Sequence, residues 1–532
     1  MFKLHKPRPD LSPPPPLRIP SGPWVDGARR RPSLSGATEF DVLGNRWDIG
    51  EHGWDSHHIP KLARYNLHYF DDLNAAGAES RRDWHHALLN RWIVENPSAE
   101  GSGWEPYPIS LRVVNWIKSA QTVEFGLTPE MIASLATQVR YLSRRIEWHI
   151  LGNHLFVNAK ALVFAGLFFE GAEADTWLRT GLSILETQLT EQILSDGGQF
   201  ELSPMYHALA VEDLLDLINM TRRYGAFLPP DALEQVGNWS ALLPRMLNWL
   251  QTMSHPDGRI AFFNDAAFGI APENSELCDY AQKLDISRPL SLDEGLHLLP
   301  DSGYCRLAQG QAVAIVDVAE VGPSYLPGHA HADTLSFEWS LGNQRIVVNG
   351  GTSVYGTDAQ RQQQRGSAAH STLAIDAHNS SEVWSGFRVG RRAQVSNVHS
   401  DASGKALVVG ATHNGYSHLP GGPLHRRDWE LDHNKLIITD RVDGRGRHSA
   451  EINFHLHPDV QAAPGQGNEI DIVHKNGEKL ATVIASCIDG IEIAKSSWHP
   501  EFGMSIESQC LRISLAGDAP LSNQTTFKWS DF

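Results

Sequence analysis

The stretch Gly328-His329-Ala330-His331-Ala332-Asp333, running on through Leu335-Ser336-Phe337-Glu338-Trp339, places chemistry-bearing side chains at every second position just before an apolar run. Such alternation predicts a β-strand in which His329, His331 and Asp333 share one face and converge on one point. A single histidine there reads as a polar strand edge. Three such groups read as a metal site, a catalytic base, or both side by side.

Outward from this stretch, everything beyond about residue 295 has a β texture. Val313–Val318, Ser336–Trp339, Arg345–Val348, Lys435–Thr439, Glu451–His455 and Ala481–Ala485 are short apolar runs broken by Gly, Asn, Asp and Pro, the pattern of an antiparallel sandwich. Toward the N-terminus the period changes. Leu178, Leu182, Leu185, Leu189 and Ile193 recur at spacings of three and four, as do Val211, Leu214, Leu215 and Ile218, which predicts helices buried on one side. Successive helices with short polar turns form a bundle, a solenoid or a closed toroid. Residues 1–40, with the run Pro13–Pro16, read as an extended arm. The expected division is therefore an arm at 1–40, a helical domain at 41–290 and a sandwich at 291–532.

A chain of 532 residues exceeds what one hydrophobic core serves, so several domains are expected, each able to bury an ordinary core. The formal net charge of −17 excludes a general nucleic-acid or anionic-membrane binder, which needs an extended basic surface. A locally basic cleft for a polyanion is still possible, and Arg388, Arg391, Arg392, Arg426 and Arg427 are available for one. Cys278, Cys305, Cys487 and Cys510 form no C-x-x-C pair, so they read as reduced, mostly buried thiols. Neither a signal peptide nor a membrane span is legible. That points to the cytoplasm for the chain as given, or to the periplasm or outside if a leader has been removed.

Two further motifs carry chemistry. Gly152-Asn153-His154 opens an apolar helical segment and puts Asn153 and His154 near a helix N-terminus, where an anion is favoured; a capping role for Asn153 is the structural alternative. Asp196-Gly197-Gly198 through Glu201-Leu202-Ser203-Pro204-Met205-Tyr206-His207 reads as a turn that enters a helix with Tyr206 and His207 at its start.

With Tyr65–Phe70, Glu105–Arg112 followed by Asn115-Trp116, and His370-Ser371-Thr372-Leu373, these blocks stand in an order that resembles the heparinase II/III-like polysaccharide lyases. The resemblance implies an N-terminal α/α toroid followed by an antiparallel β-sandwich, and β-elimination on a uronic-acid unit of an anionic polysaccharide. It also implies roles: Asn153 binds the uronate carboxylate, Tyr206 returns a proton to the leaving oxygen, and His329 acts as base or charge stabiliser. Arg112, His154 and Glu201 are candidates for lining the cleft. A structural zinc is implied as well, held by His331 and His370. The middle ligand falls in the strand containing Asn349, where the family's usual Asp is absent, which leaves three outcomes: Asn349 completes the set as a weaker ligand, Asp333 takes its place, or the ion is absent. The sandwich segments around Trp384 and Arg388 resemble those of relatives that accompany exopolysaccharide synthesis, and these two side chains are candidates to face the cleft.

Two other classes stay open at the level of sequence. One is a metal-dependent glycoside hydrolase pairing Glu201 with Asp265. The other is a non-catalytic polysaccharide-binding protein, which the loss of a carboxylate at Asn349 favours. Oligomeric state is not legible.

Overall fold

The computed structural model describes residues 7–122, 125–287, 292–486 and 491–530. Contacts divide the chain into two compact units: Met1–Ile193 with Ala208–Pro244 and Ala271–Arg288, and Leu194–His207 with Arg245–Ile270 and Pro289–Phe532. The boundary is therefore interleaved. Two stretches that the sequence places in the helical domain, one carrying Glu201 and Tyr206 and the other Asp265, belong with the sheets.

The first unit is an α/α toroid whose helices include Arg82–Glu95, Pro106–Ser119, Pro129–Ser143, Gly152–Phe168 and Ala172–Gln192. The last two pack unusually closely because glycine faces the partner from each side. A Cβ at Gly166 would strike the Leu178 backbone, and one at Gly181 would strike the Ala159 carbonyl. Leu178, Leu182, Leu185 and Leu189 are all buried, as their spacing predicts. The N-terminal arm is extended and fastened along this unit. Arg18 Nε donates to Phe169 O at 2.6 Å, and Val25 and Asn219 exchange hydrogen bonds of 3.3 and 2.8 Å.

The second unit is an antiparallel sandwich of an eight-stranded and a nine-stranded sheet. All six β runs read from the sequence coincide with strands to within a few residues at their ends, with Val318 and Ser336 falling just outside theirs. Alternate residues from both sheets fill one core, among them Leu307, Phe337, Trp339, Ile452 and Phe454 from one and Val409, Trp429, Leu436 and Ile438 from the other. Alternation along Leu424–Asp432 also turns Arg427 inward. It is compensated by Asp440 directly across the ladder, bonded at 2.7 and 3.0 Å, so Arg427 is not available to a polyanion. Cys278, Cys305 and Cys510 are free thiols, and Cys487 lies outside the described residues.

The opening stretch departs from expectation. Residues 328–336 form a loop, and the strand begins at Phe337. The backbone there bonds to other partners than a ladder: Asp265 N donates to His329 O, His331 N to Asn264 Oδ1, and Ala332 N to Arg365 O. Leu335 takes a left-handed φ of 62°, which ends any strand-like alternation before the apolar run. His329 consequently parts from His331 and Asp333, and the three do not converge on one point.

Candidate active site

His329 is held by a carboxylate. Its Nδ1 lies 2.5 Å from Glu201 Oε2, and Glu201 is itself buried. With Glu201 Oε2 as acceptor and Nδ1–H as donor, the lone pair of Nε2 faces away from the carboxylate. The Tyr206 ring lies flat against this imidazole, with centroids 4.0 Å apart and planes at 17°. Ser203 makes that approach possible: its hydroxyl accepts from Tyr206 N at 3.2 Å at the start of the helix Pro204–Arg223 and donates to Asp265 O. The Tyr206 and Tyr355 hydroxyls are 2.9 Å apart. Burial, and then the neighbouring Tyr355, push the Tyr206 phenol well above its ordinary value, so Tyr206 is a protonated acid at neutral pH.

Behind this group lies a second, fully buried cluster. His331 Nε2 is 2.9 Å from Asp265 Oδ1, and Arg361 grips the same carboxylate through both terminal nitrogens. Burial acts to raise the Asp265 carboxyl. Arg361 and His331 overcome it and hold the group far below the usual carboxylate range. Because Asp265 accepts from Nε2, His331 Nδ1 presents a lone pair, and it faces His370 Nε2 at 3.2 Å. Asp333 completes a set in which the ligand atoms of His331, Asp333 and His370 lie within 4.8 Å of one another. Zinc bonds of ~2.0–2.1 Å in tetrahedral array separate ligand nitrogens by roughly 3.3 Å, and a carboxylate behind a ligating imidazole is the usual support. The residues fit the implied ion.

Asn349 does not join them. Its Nδ2 donates to Phe262 O at 2.9 Å and Ser336 Oγ at 3.3 Å, while its Oδ1 accepts from Ser371 N at 2.9 Å. Both ends of the amide are thus committed to cross-linking three chain segments, and the carboxylate that lies with His331 and His370 is that of Asp333.

Arg112 is another correction. It is fully buried in the first unit, donating to Gln138 Oε1, His68 O and Gly103 O and lying over the Trp92 ring, which leaves nothing to line a cleft. Asn153 sits in the first turn of the helix Gly152–Phe168 but is not its cap, since Leu151 holds that position. Asn153 Nδ2 donates to Tyr107 Oη at 3.1 Å. His154 is 3.1 Å from Glu147 Oε2 through Nδ1 and packs against the Tyr107 ring. His207 faces inward, between Gln199 N and Met246 O. Tyr355, Asn264, Arg361 and Arg365 were missed in the sequence. The spacing of four between Arg361 and Arg365 on the helix Ala359–Arg365 was the available signal.

Two family descriptions match the chain, Heparinase II/III N-terminus over residues 69–282 and Heparinase II/III-like, C-terminal over residues 292–530. The chain belongs to the heparinase II/III-like family. It is 24% identical over 389 residues to a heparin-sulfate lyase of Bacteroides stercoris, covering 66% of this chain and 54% of that protein. To a heparin-sulfate lyase of Pedobacter heparinus it is 26% identical over 382 residues, 64% of this chain and 54% of that protein. The chain thus spans about half the length of these curated relatives. The solved structure of a heparan sulfate lyase mutant from Pedobacter heparinus shares the fold, with a TM-score of 0.62 at 19% identity over 93% of this chain and 82% of that one. No helix among the described residues is long and apolar enough to cross a membrane.

Proposed function

We propose that this family member is a lyase that cleaves a uronic-acid-containing polysaccharide by β-elimination. The observation that carries the reading is the stacked pair of Tyr206 and His329, with Glu201 behind the imidazole. Elimination needs a base for the C5 proton and an acid for the departing O4. His329 Nε2 takes the proton from C5, the electron pair forms the C4–C5 double bond as the C4–O4 bond breaks, and Tyr206 protonates O4. Glu201 supports the imidazolium that forms. The assignment of Asn153 to the uronate carboxylate, where enolate charge builds, rests on its motif and on its place in the first turn of a helix.

Hydrolysis by paired carboxylates fits less well. Asp265 is locked by Arg361 and His331, and Glu201 is spent on His329, so neither is poised as an acid or as a base toward water. A binder has no use for the acid–base pair. The relatives named heparin-sulfate lyases favour a heparin- or heparan-sulfate-like glycosaminoglycan, and a bacterial exopolysaccharide containing uronate satisfies the same chemistry. His331, Asp333 and His370 are the residues that hold zinc in this reading. Bound by these residues, zinc would supply rigidity to their loops, and the acid–base work stays with the side chains above.

The test is a panel of uronate polysaccharides followed by the ultraviolet absorbance of unsaturated product. Tyr206→Phe is expected to abolish turnover while the protein stays folded and binds substrate; near-normal turnover by that variant takes Tyr206 out of the mechanism. Reducing-end release without new absorbance would establish hydrolysis instead.

A further inference from the structure

The hairpin Val383–Trp384/Arg388–Val389 exposes costly groups next to the acid–base pair. Trp384 is 53% and Phe387 43% exposed, although both are large and apolar. Phe387 is also the link to the site, with its ring 6.1 Å from His329 and 5.2 Å from Tyr355, edge to face in both cases. Directly across the two-residue ladder from Trp384 stands Arg388. Of the five arginines that the sequence offers to a polyanion, Arg427 is buried on Asp440, Arg426 is paired with Asp428, Arg391 donates to Gly415 O and Arg392 to Pro323 O. The Arg388 guanidinium is exposed and has no hydrogen bond or ion pair to another described residue.

This exposed face is held rigidly from below. Arg361 Nε donates to Gly386 O at 3.1 Å, and Arg365 reaches the carbonyls of Ser385, Gly386 and Arg388 at 3.2–3.3 Å. The same two buried guanidiniums grip Asp265 and the Ala330 carbonyl, one residue past His329. A Cβ at Gly386 would collide with the Gly356 carbonyl, so the turn is seated against its neighbour without room for a side chain. A loop anchored this way to the catalytic histidine's own segment is a preorganised surface.

We propose that the Trp384–Arg388 hairpin is a sugar subsite adjoining the reacting uronate, where Trp384 stacks on the C–H face of a pyranose and Arg388 pairs with an anionic substituent of the substrate. The indole matches the apolar face of a sugar ring, and the guanidinium fork matches a carboxylate or a sulfate. The inference rests on the polysaccharide-lyase reading and deepens it. It names two specificity-determining residues, neither of which takes part in proton transfer.

The test separates the two ideas by measuring binding apart from turnover. In a Tyr206→Phe background, equilibrium binding of heparan-sulfate oligosaccharides and of unsulfated glucuronate oligosaccharides is compared with and without Trp384→Ala and Arg388→Ala. Trp384→Ala is expected to weaken binding by roughly 3–10-fold, the worth of one stacked ring. Arg388→Ala is expected to weaken it and to flatten its dependence on salt. Loss confined to the sulfated ligand identifies sulfate as the anion, and equal loss on both identifies the uronate carboxylate. Unchanged melting temperature is expected for both variants, since the side chains are exposed. Unaltered affinity and salt dependence in both variants would overturn the subsite even if unsaturated product forms normally. Absence of unsaturated product from the unsubstituted protein would overturn the lyase reading while leaving the binding comparison to judge the hairpin.

Discussion

Glu201 changes role once its surroundings are known. As a cleft-lining carboxylate it would meet sugar hydroxyls; buried against His329 Nδ1, it occupies that nitrogen and leaves Nε2 for the base role proposed above. Glu201→Gln keeps the shape but replaces the carboxylate with an amide, and turnover is expected to fall by roughly 10²–10⁴-fold with a smaller change in KM, read from steady-state kinetics of unsaturated product. Asn349 is the complementary case. Restoring the usual carboxylate with Asn349→Asp would set it against the Phe262 carbonyl and close to Glu338, whose carboxyl burial has already pushed up to about 7. That variant is expected to lose about 1–3 kcal/mol in denaturant unfolding, the cost of a buried group stripped of its partners, and to gain no metal affinity. An unchanged midpoint would show that the amide donors of Asn349 do not matter.

At the scale of elements, periodicity was a good guide wherever one face is simply buried. The stripe through Leu178, Leu182, Leu185 and Leu189 is a helix, and the six β runs are strands, because burial of an apolar face needs no partner of particular identity. It failed at residues 328–336, where alternation was real in the sequence but the backbone bonds went to Asn264, Asp265 and Arg365. Long-range polar partners of this kind leave no period to read. The same elements bury histidines in neutral form, with a testable consequence. Burial pushes His207 and His455 down to about 4 from 6.5. Unfolded chains take up protons on these rings below about 6.5 and the folded protein does not, so their contribution to stability is full above that pH and is lost as pH falls toward 4. The melting temperature is expected to drop by roughly 5 °C or more between pH 7 and pH 4.5. A flat profile across that interval would contradict the neutral burial of these rings.

At the scale of the molecule, two compact units predict two calorimetric transitions, one for each unit. The zinc proposal belongs to the second unit alone, since His331, Asp333 and His370 all lie in it. Chelation is expected to lower the transition of that unit, leave the other in place, and have no effect in His370→Ala; a chelator effect that survives in His370→Ala would remove this residue from the metal set. By itself the sequence determined a helical array followed by an antiparallel sandwich, because these follow from local periods and turn residues; the closure of the array into a toroid came from the family resemblance. The family was legible as well, because its motifs, including those that carry Asn153, Tyr206 and His329, are contiguous. Only the tertiary structure decided that Glu201 contacts His329, that Asp333 and not Asn349 lies with His331 and His370, that Arg112 is buried among structural partners, and that Arg388 alone of its cluster is exposed without a partner. Each of these depends on which distant group a polar side chain meets in the folded chain, and a polar atom's partner is set by three-dimensional proximity, which spacing along a sequence does not record.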